Sequence, residues 1–251
     1  MVNIIVFQFT KAQNEGKSLL CCTFIAAAAS HCQMLGYYHE KMYRNDRTGN
    51  SENMRRLFWT TYVFEKHFSL LFGRASNMRD FDIDARFPAL STDPAIRPWD
   101  ESFIIGIKLA KTQSQIYDRL YSITALKTAG CERKQYVNQI ATTMQEWEVE
   151  LRQVMIPPLP PFDGLPMTPL QIDSSQVNNR QVFDISRDSW DIMYYSTFTS
   201  LLRAPTTSGM EGTEISSQCF QVARLSLQSH LRCFGNYQTS DFLSDANYAN
   251  W

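Results

Sequence analysis

The sequence contains none of the short motifs that identify the common enzyme classes. It has no Gly-x-Ser-x-Gly elbow, no phosphate-binding glycine loop and no dinucleotide fingerprint, and glycine is scarce, with 10 residues in 251. His39-Glu40 begins like a zinc-protease signature, but Tyr43 stands where the second histidine would be. We therefore predict a non-enzyme without catalytic, cofactor-binding or metal-ligating residues. The alternative is an active site built from residues far apart in the sequence.

Clusters of positive charge are also absent. The chain carries 24 Lys and Arg residues against 25 Asp and Glu residues, and no run of basic residues exceeds the pair Arg55-Arg56. Nucleic-acid binding that does not depend on base sequence comes from neutralising phosphates with Lys and Arg side chains. The charge distribution therefore argues against DNA binding by this chain alone.

The six cysteines lack the spacing of a metal site. Zinc sites built from cysteine use tight Cys-x2-Cys pairs, and no such pair occurs. Asn-x-Ser/Thr glycosylation sites are missing as well. We therefore predict an intracellular protein whose cysteines are reduced and mostly buried. They are Cys21, Cys22, Cys32, Cys131, Cys219 and Cys233.

No apolar run is long enough to cross a membrane. The most apolar stretch is Leu19–Ala29, about half the length that a bilayer requires. Met1–Phe9 carries no Lys or Arg, which a secretory signal would need there. The stretch therefore predicts a buried helix, and no membrane partner is expected.

Periodic apolar residues dominate the segment Glu52–Leu90. Gly73 follows them and is predicted to stop a helix in the left-handed conformation. The aromatic residues of this helix are predicted to be core, a ligand pocket being the alternative. The apolar positions have the i, i+3, i+4, i+7 spacing of a one-sided helix, and they are Met54, Leu57, Phe58, Thr61, Phe64, Phe68, Leu71 and Phe72.

Alternating carboxylates follow the helix stop, at Asp80, Asp82 and Asp84. A calcium loop would also need Gly at its sixth position and Glu at its twelfth, where this sequence has Ala85 and Ser91. We therefore predict that the carboxylates solvate a turn and pair with Arg74, Arg79 or Arg86. Arg74 is predicted to fold back onto at least one of them.

The remaining segments predict further helices and no strands. Met1–Phe9 is predicted to be a strand-like tail, Glu40–Ser51 and Ser91–Asp100 to be loops, and Ile156–Pro169, with its prolines, an extended connector. The predicted fold is all-α: a single domain, 15–235, of about six long amphipathic helices between the tails 1–14 and 236–251. The further predicted helices are Glu15–His39, Glu101–Ala129 (ended by Gly130), Glu132–Met155, Phe183–Arg203 and Glu214–Phe234.

Four stretches, in order, resemble a known family. Within Glu52–Leu90 the sequence runs RRLFWTTYVFEKHFSLLFGRAS, then DFDID, then Phe-Pro. This order resembles the central segment of the fungal-specific transcription factor domain, the helical regulatory region of zinc binuclear cluster activators. Three other stretches resemble neighbouring helices of that domain: AAASHCQMLGYYHE (Ala27–Glu40), YYSTFTSLLRAP (Tyr194–Pro205) and CFQVAR (Cys219–Arg224).

The resemblance implies a regulatory, non-catalytic role in DNA-templated transcription, in the nucleus. It also implies a set of structural motif residues. The sequence departs from the family pattern at Glu65, where many members have Asp, and at Ala75, where many have Pro. The motif residues are Arg55, Arg56, Phe58, Trp59, Gly73, Arg74, Asp82, Asp84 and Pro88.

The zinc cluster of such activators is not in this sequence. The resemblance therefore places zinc and DNA binding in a missing N-terminal module of the complete protein, and it implies a truncated C-terminal tail. It further implies the transcription machinery or a co-regulator as a partner, and a small-molecule effector. The alternative is a free-standing helical binding protein, or a gene-fragment remnant, that acts through protein or small-molecule contacts.

Overall fold

The computed structural model describes residues 2–94, 96–154, 174–204 and 216–239, without the side chains of residues 10, 13, 14, 174–185 and 236–239. These residues form helices and no strand, which confirms the predicted all-α class. They belong to two compact units, one containing Met1–Trp147 and one beginning at Glu148. The predicted connector Ile156–Pro169 lies outside the described residues. The helices are α1 (Val2–Asn14), α2 (Ser18–Met34), α3 (Glu40–Arg44), α4 (Ser51–Leu71), α5 (Arg97–Ile116), α6 (Gly130–Val154), α7 (Ser174–Arg203) and α8 (Ser217–Thr239).

Helix α4 is the centre of the first unit and packs against α1, α2, α3 and α5. Its aromatic stripe is core, as predicted: Phe58, Trp59 and Tyr62 are fully buried, although Phe72 at its end is exposed. The small residues of α2, Ala28 and Ala29, are also fully buried. Small side chains let two helix backbones approach closely, which explains how the alanine-rich run packs inside the first unit.

Two glycines end helices in the left-handed conformation, and the one at Gly73 was predicted from the sequence. Gly73 has φ +62° and follows α4, and its amide donates to Leu70 O (3.1 Å) while the Arg74 amide donates to Ser69 O (2.9 Å). This pair of bonds is a Schellman motif, so the left-handed stop predicted at Gly73 is confirmed. Gly36, at φ +72°, ends α2 with the same pattern. Each stop turns the chain back towards α4.

The N-terminal prediction is wrong, because residues 2–14 form helix α1 rather than a strand-like tail. Val2, Phe9 and Ala12 are buried, which matches a helical rather than an alternating period. The Phe9 ring packs on Phe64 (centroids 4.7 Å apart) and edge-on against Phe68 (5.4 Å). Packing on α4 therefore overrides the β-branched composition of this segment.

The boundaries of other predicted elements shift for local reasons. The predicted loop after His39 begins with helix α3, and α5 ends at Ile116 rather than at Ala129. A π-helical turn (Tyr117–Tyr121) follows α5, and Ser122 Oγ then accepts the Ala125 amide (3.1 Å) and begins a new 3-10 turn. Gly130 was predicted to end a helix, but in the structure it begins α6.

The second unit contains the antiparallel pair α7 and α8. Ser189 lies beside Cys233 (Oγ to Sγ 3.7 Å), whereas the Cys219 Sγ reaches Thr199 O (3.9 Å), so the two helices run in opposite directions. Arg232 of α8 bridges Asp188 (Nε to Oδ1 3.4 Å) and Asp191 (Nη2 to Oδ2 3.3 Å) of α7. Helix α7 begins nine residues before the predicted Phe183.

Candidate functional site

The segment after Gly73 returns along α4 in the opposite direction and is held there by polar side chains of α4. We call residues 73–91 the return segment. Lys66 contacts the return segment near Met78, Tyr62 contacts Asp80, Trp59 contacts Arg86 and Arg56 contacts Ala89. Apart from one 3-10 turn (Asp80–Asp82), the segment has no secondary structure of its own. Several of its backbone groups are therefore satisfied by side chains, while the amides of Asp84 and Ala85 donate to Tyr38 O (3.1 Å each).

A buried ion pair joins α3, α4 and the return segment. The Arg55 guanidinium donates to both oxygens of Glu40 (2.7 and 3.2 Å) and to Arg86 O (3.0 Å). Glu40 Oε2 also accepts the Arg86 amide (2.9 Å). The hydrogen bonds from Arg55 lower the pKa of Glu40 to about 2, so this carboxylate is ionised at neutral pH. The Arg55 guanidinium also lies over the Tyr43 ring (4.1 Å), which closes the pair from the α3 side.

Arg56 organises the far end of the return segment. Its guanidinium donates to Asp100 Oδ1 (2.7 Å) at the start of α5 and to Ala89 O (2.9 Å). Asp100 Oδ2 accepts the Ser91 amide (2.7 Å), and Glu52 Oε1 accepts the Ala89 amide (2.9 Å). Arg56 therefore connects α4, α5 and the return segment. Trp59 adds a neutral hydrogen bond from Nε1 to Arg86 O (2.8 Å).

Glu65 and Lys66 hold the near end of the return segment from inside the core. Glu65 is fully buried and accepts the Asn77 amide (2.7 Å), the Ser69 hydroxyl (3.1 Å) and the Ser76 hydroxyl. Lys66, only 2% exposed, donates to Met78 O and to the Ser114 hydroxyl of α5 (3.0 Å), and lies 3.1 Å from Asp80 Oδ1.

Tyr62 completes this end by donating to Asp80 Oδ1 (2.6 Å). Burial, together with the neighbouring Asp80 carboxylate, raises the pKa of Tyr62 and keeps its hydroxyl protonated. Asp80 therefore accepts from both Tyr62 and Lys66 and fixes the 3-10 turn against α4.

The prediction that Arg74 pairs with the following carboxylates is wrong. Asp80 pairs with Lys66 and Tyr62, as above, while Asp84 accepts the Glu40 amide (2.9 Å) and lies 3.2 Å from His39 Nδ1. Asp82 is exposed. Arg74 Nε and Nη2 are buried without a hydrogen-bond partner. The carboxylates lie further along the chain, beside α4 and the turn after α2, so they face donors from those elements.

The other motif residues fall on the same face of α4 or on the return segment. Phe58 is fully buried in the core and Pro88 is buried in the return segment. The structure thus brings Arg55, Arg56 and Trp59 together with the return segment, whereas Asp82 and Arg74 stand apart from their network.

A surface pocket of about 390 Å³ lies between the turn after α2 and the return segment. Tyr38 and His39 stack at one side of it (ring centroids 4.0 Å apart). Arg79 and Asp82 contribute exposed charges of opposite sign. Gln33 Nε2 donates to Asn77 O (2.7 Å) and joins α2 to the return segment. The other lining residues are Met78 and Ile83.

Burial keeps two ionisable side chains of the first unit, Cys32 and His67, in their neutral forms. Burial raises the pKa of Cys32 to about 11, which keeps its thiol protonated. Burial lowers the pKa of His67 to about 4, so its ring is neutral, and it faces Gln113 Nε2 (3.1 Å). Within the described ranges, no three His, Cys, Asp or Glu side chains are arranged to hold a metal ion. The side chains of α4 that bind the return segment hold the chain in place, and we call them, together with Glu40 and Asp100, the clamp; they are Arg55, Arg56, Trp59, Tyr62, Glu65 and Lys66.

Sequence reasoning missed the hydrogen-bonding roles of Glu40, Glu52, Tyr62, Lys66 and Asp100 in this network. A signal was available: side chains that can form hydrogen bonds recur every three or four residues along one side of α4, at positions 52, 55 or 56, 59, 62 and 66. Charged residues on a largely buried helix need partners.

Residues 12–148 match the family described as the fungal specific transcription factor domain. One relative, an uncharacterized transcriptional regulatory protein of Schizosaccharomyces pombe, is 30% identical over 153 residues, which are 60% of this chain and 24% of the relative. A second such protein of the same yeast is 28% identical over 160 residues, covering 61% of this chain and 26% of the relative.

The chain spans about a quarter of the length of these two curated relatives. No solved structure matches it. Among the described residues, none of the helices combines the length and the hydropathy that crossing a lipid bilayer requires.

Proposed function

Because the chain belongs to the fungal specific transcription factor domain family, we propose that it is a regulatory, non-catalytic part of a transcriptional regulator that works in the nucleus. Zinc and DNA binding belong to a separate zinc-cluster module of the complete protein, since this sequence has no Cys-x2-Cys pair. Two curated relatives are themselves described as transcriptional regulatory proteins. Their extra length leaves room for such a module.

The observation that carries this proposal is that several family-motif residues hold the return segment in place. Arg55, Arg56 and Trp59 bind backbone carbonyls of the return segment, and Gly73 turns the chain into it. Residues that hold a scaffold in one shape suit a regulatory domain, because the surface that such a domain presents to its partners must keep its shape. The alternative of a free-standing binding protein would use the same scaffold without a DNA-binding module.

The partners that suit this role are a co-regulator or the transcription machinery, and a small-molecule effector. The pocket beside the return segment is the candidate effector site, because Arg79 and Asp82 offer it charges of both signs. A ligand there would contact residues next to Asp84 and Glu40, and by binding it would change how strongly the return segment is held against α4.

A reporter assay tests the proposal. The full chain is inserted between a zinc-cluster DNA-binding module and an activation segment in a fungal host, and transcription from a matching promoter is compared with that of the same fusion without the chain. We expect the chain to change reporter output, and Glu40→Gln, which breaks the clamp, to abolish the change at equal protein level. Glu101→Gln, at the exposed pair with Arg97 (2.8 Å), is the control and should behave as wild type. Identical output with and without the chain would favour the free-standing binding protein.

A further inference from the structure

Helix α8 carries a row of exposed apolar side chains. Phe220 is 70% exposed, Leu227 67%, Leu231 69% and Phe234 53%. Large apolar residues exposed singly are ordinary, but a contiguous row on one helix is a mark of an interaction surface. We call Phe220, Arg224, Leu227, Leu231 and Phe234 the α8 stripe.

The spacing of the α8 stripe is that of a helix-pairing seam. Its members are separated by four, three, four and three residues, an average of 3.5, which is the period of the a and d positions in a coiled coil. Among the described side chains of α8, the buried ones are Cys219, Val222 and Ser229. At about 100° per residue, Val222 and Ser229 lie nearly opposite the stripe and Cys219 lies about a quarter-turn from it, so the stripe faces away from these buried residues.

The formally charged side chains of α8 itself are both positive. Helix α8 contains no Asp or Glu, and Arg224 is an exposed member of the stripe with no ion pair in the described part of the chain. The other arginine of α8, Arg232, is already paired with Asp188 and Asp191. A charged side chain at one position of an apolar seam selects partners that neutralise it.

We propose that the α8 stripe docks an acidic amphipathic helix of a partner protein. The apolar side chains of that helix would pack between Phe220, Leu227, Leu231 and Phe234, and a carboxylate would meet Arg224. A second copy of this chain fits less well, because α8 offers no carboxylate and pairing would place two Arg224 side chains on one apolar seam. The inference does not depend on the role in transcription, since it stands on exposure, spacing and charge alone.

The test uses the full 251-residue chain and a fluorescein-labelled peptide of three heptads, with leucine at a and d, one central a-position glutamate, and glutamate at e and g. Two matched peptides replace every glutamate with lysine or scramble the sequence. By fluorescence anisotropy we expect the acidic peptide alone to bind. Leu231→Glu should weaken binding about tenfold or more, and Arg224→Glu should transfer the preference to the lysine peptide. Both positions are exposed, and circular dichroism checks that the variants remain folded.

The matched control is Val149→Glu, at an apolar residue of α6 in the same unit that is 58% exposed but lies off the stripe. It should leave the affinity for the acidic peptide unchanged. Equal binding of the acidic and lysine peptides, binding of neither, or equal losses in Leu231→Glu and Val149→Glu would overturn the proposal. So would sedimentation showing self-association of the wild type that Leu231→Glu abolishes, because a second copy would then occupy the stripe. A chain that binds the acidic peptide yet leaves the reporter unchanged would contradict only the proposed role.

Discussion

Gly73 contributes to the fold through its backbone conformation alone. Its φ is +62°, and a Cβ added there would meet no atom within 4 Å, so substitution adds strain without a clash. We expect Gly73→Val to lower the free energy of unfolding by roughly 1–2 kcal/mol or more, because a β-branched residue is forced into the left-handed region. Urea denaturation followed by circular dichroism measures the change.

Gly130 is the matched control for this substitution. It too has open space around the Cβ position, but it begins α6 without a positive φ. Gly130→Val should therefore be close to neutral. If both variants were as stable as the parent, the left-handed stop at Gly73 would contribute nothing to stability.

Glu40 is held in its ionised form by its surroundings. It is buried against Arg55 and accepts the Arg86 amide. At neutral pH we expect Glu40→Gln to cost about 3 kcal/mol, because it leaves the Arg55 guanidinium without its anion. Glu101→Gln, which removes only an exposed i,i+4 pair with Arg97, should cost less than about 1 kcal/mol.

The pH dependence of the Glu40→Gln effect follows from the direction of the pKa shift. Folding lowers the pKa of Glu40 from 4.5 to about 2, so the folded state stabilises the ionised form. Its contribution is complete above pH 4.5 and is lost as the pH falls towards 2. The stability difference between wild type and Glu40→Gln should therefore shrink across that interval in urea titrations. A difference that stayed constant down to pH 2 would contradict the assignment.

At the scale of elements, the return segment depends on α4 for its conformation. Lys66 holds its near end through Met78 O and Asp80. We expect Lys66→Met to release residues 76–80 while α4 stays folded, because the apolar side chain keeps the core filled but removes the donors. Limited trypsin digestion under native conditions should then cut faster after Arg74 and Arg79.

Lys134→Met is the control for this experiment, because Lys134 is exposed on α6 and far from the return segment in sequence. Apart from the loss of the site after Lys134 itself, its cleavage after Arg74 and Arg79 should match that of the wild type. If Lys66→Met were cut no faster than this control, the return segment would be held without Lys66, and the clamp would be confined to Arg55, Arg56 and Trp59.

The helices could be predicted from sequence because their signals are local. Met54 to Phe72 show the apolar period of α4, and Gly73 marks its end within a few residues. The clamp could not be predicted, because Glu40 meets Arg55 and Arg86 across 15 and 46 positions. The pairing assigned to Arg74 failed for the same reason: proximity in sequence favoured it, and the donors that bind Asp80 and Asp84 come from other helices. Helix α1 was missed because its packing on α4 is equally non-local.

At the scale of the whole molecule, charge is the property that bears on DNA. The net charge of the 251 residues is −1, the isoelectric point is about 6.4, and no basic run exceeds the pair Arg55-Arg56. In the structure both of these arginines belong to the clamp, where Arg55 pairs with Glu40 and Arg56 pairs with Asp100. One of the two pairs of adjacent basic residues in the sequence is thus bound within the fold, the other pair being Arg133-Lys134.

We therefore expect the purified chain to show no specific DNA binding at physiological salt, measured by fluorescence anisotropy with duplex DNA. A domain that neutralised even six phosphates would lose about 10³-fold in affinity between about 50 and 200 mM salt, and would need a clustered basic face to do so. A fusion of the chain to a zinc-cluster module should bind its site, and a chelator should abolish that binding because the module folds around its metal. Tight, sequence-selective and salt-sensitive binding by the isolated chain would overturn the assignment of DNA recognition to a separate module.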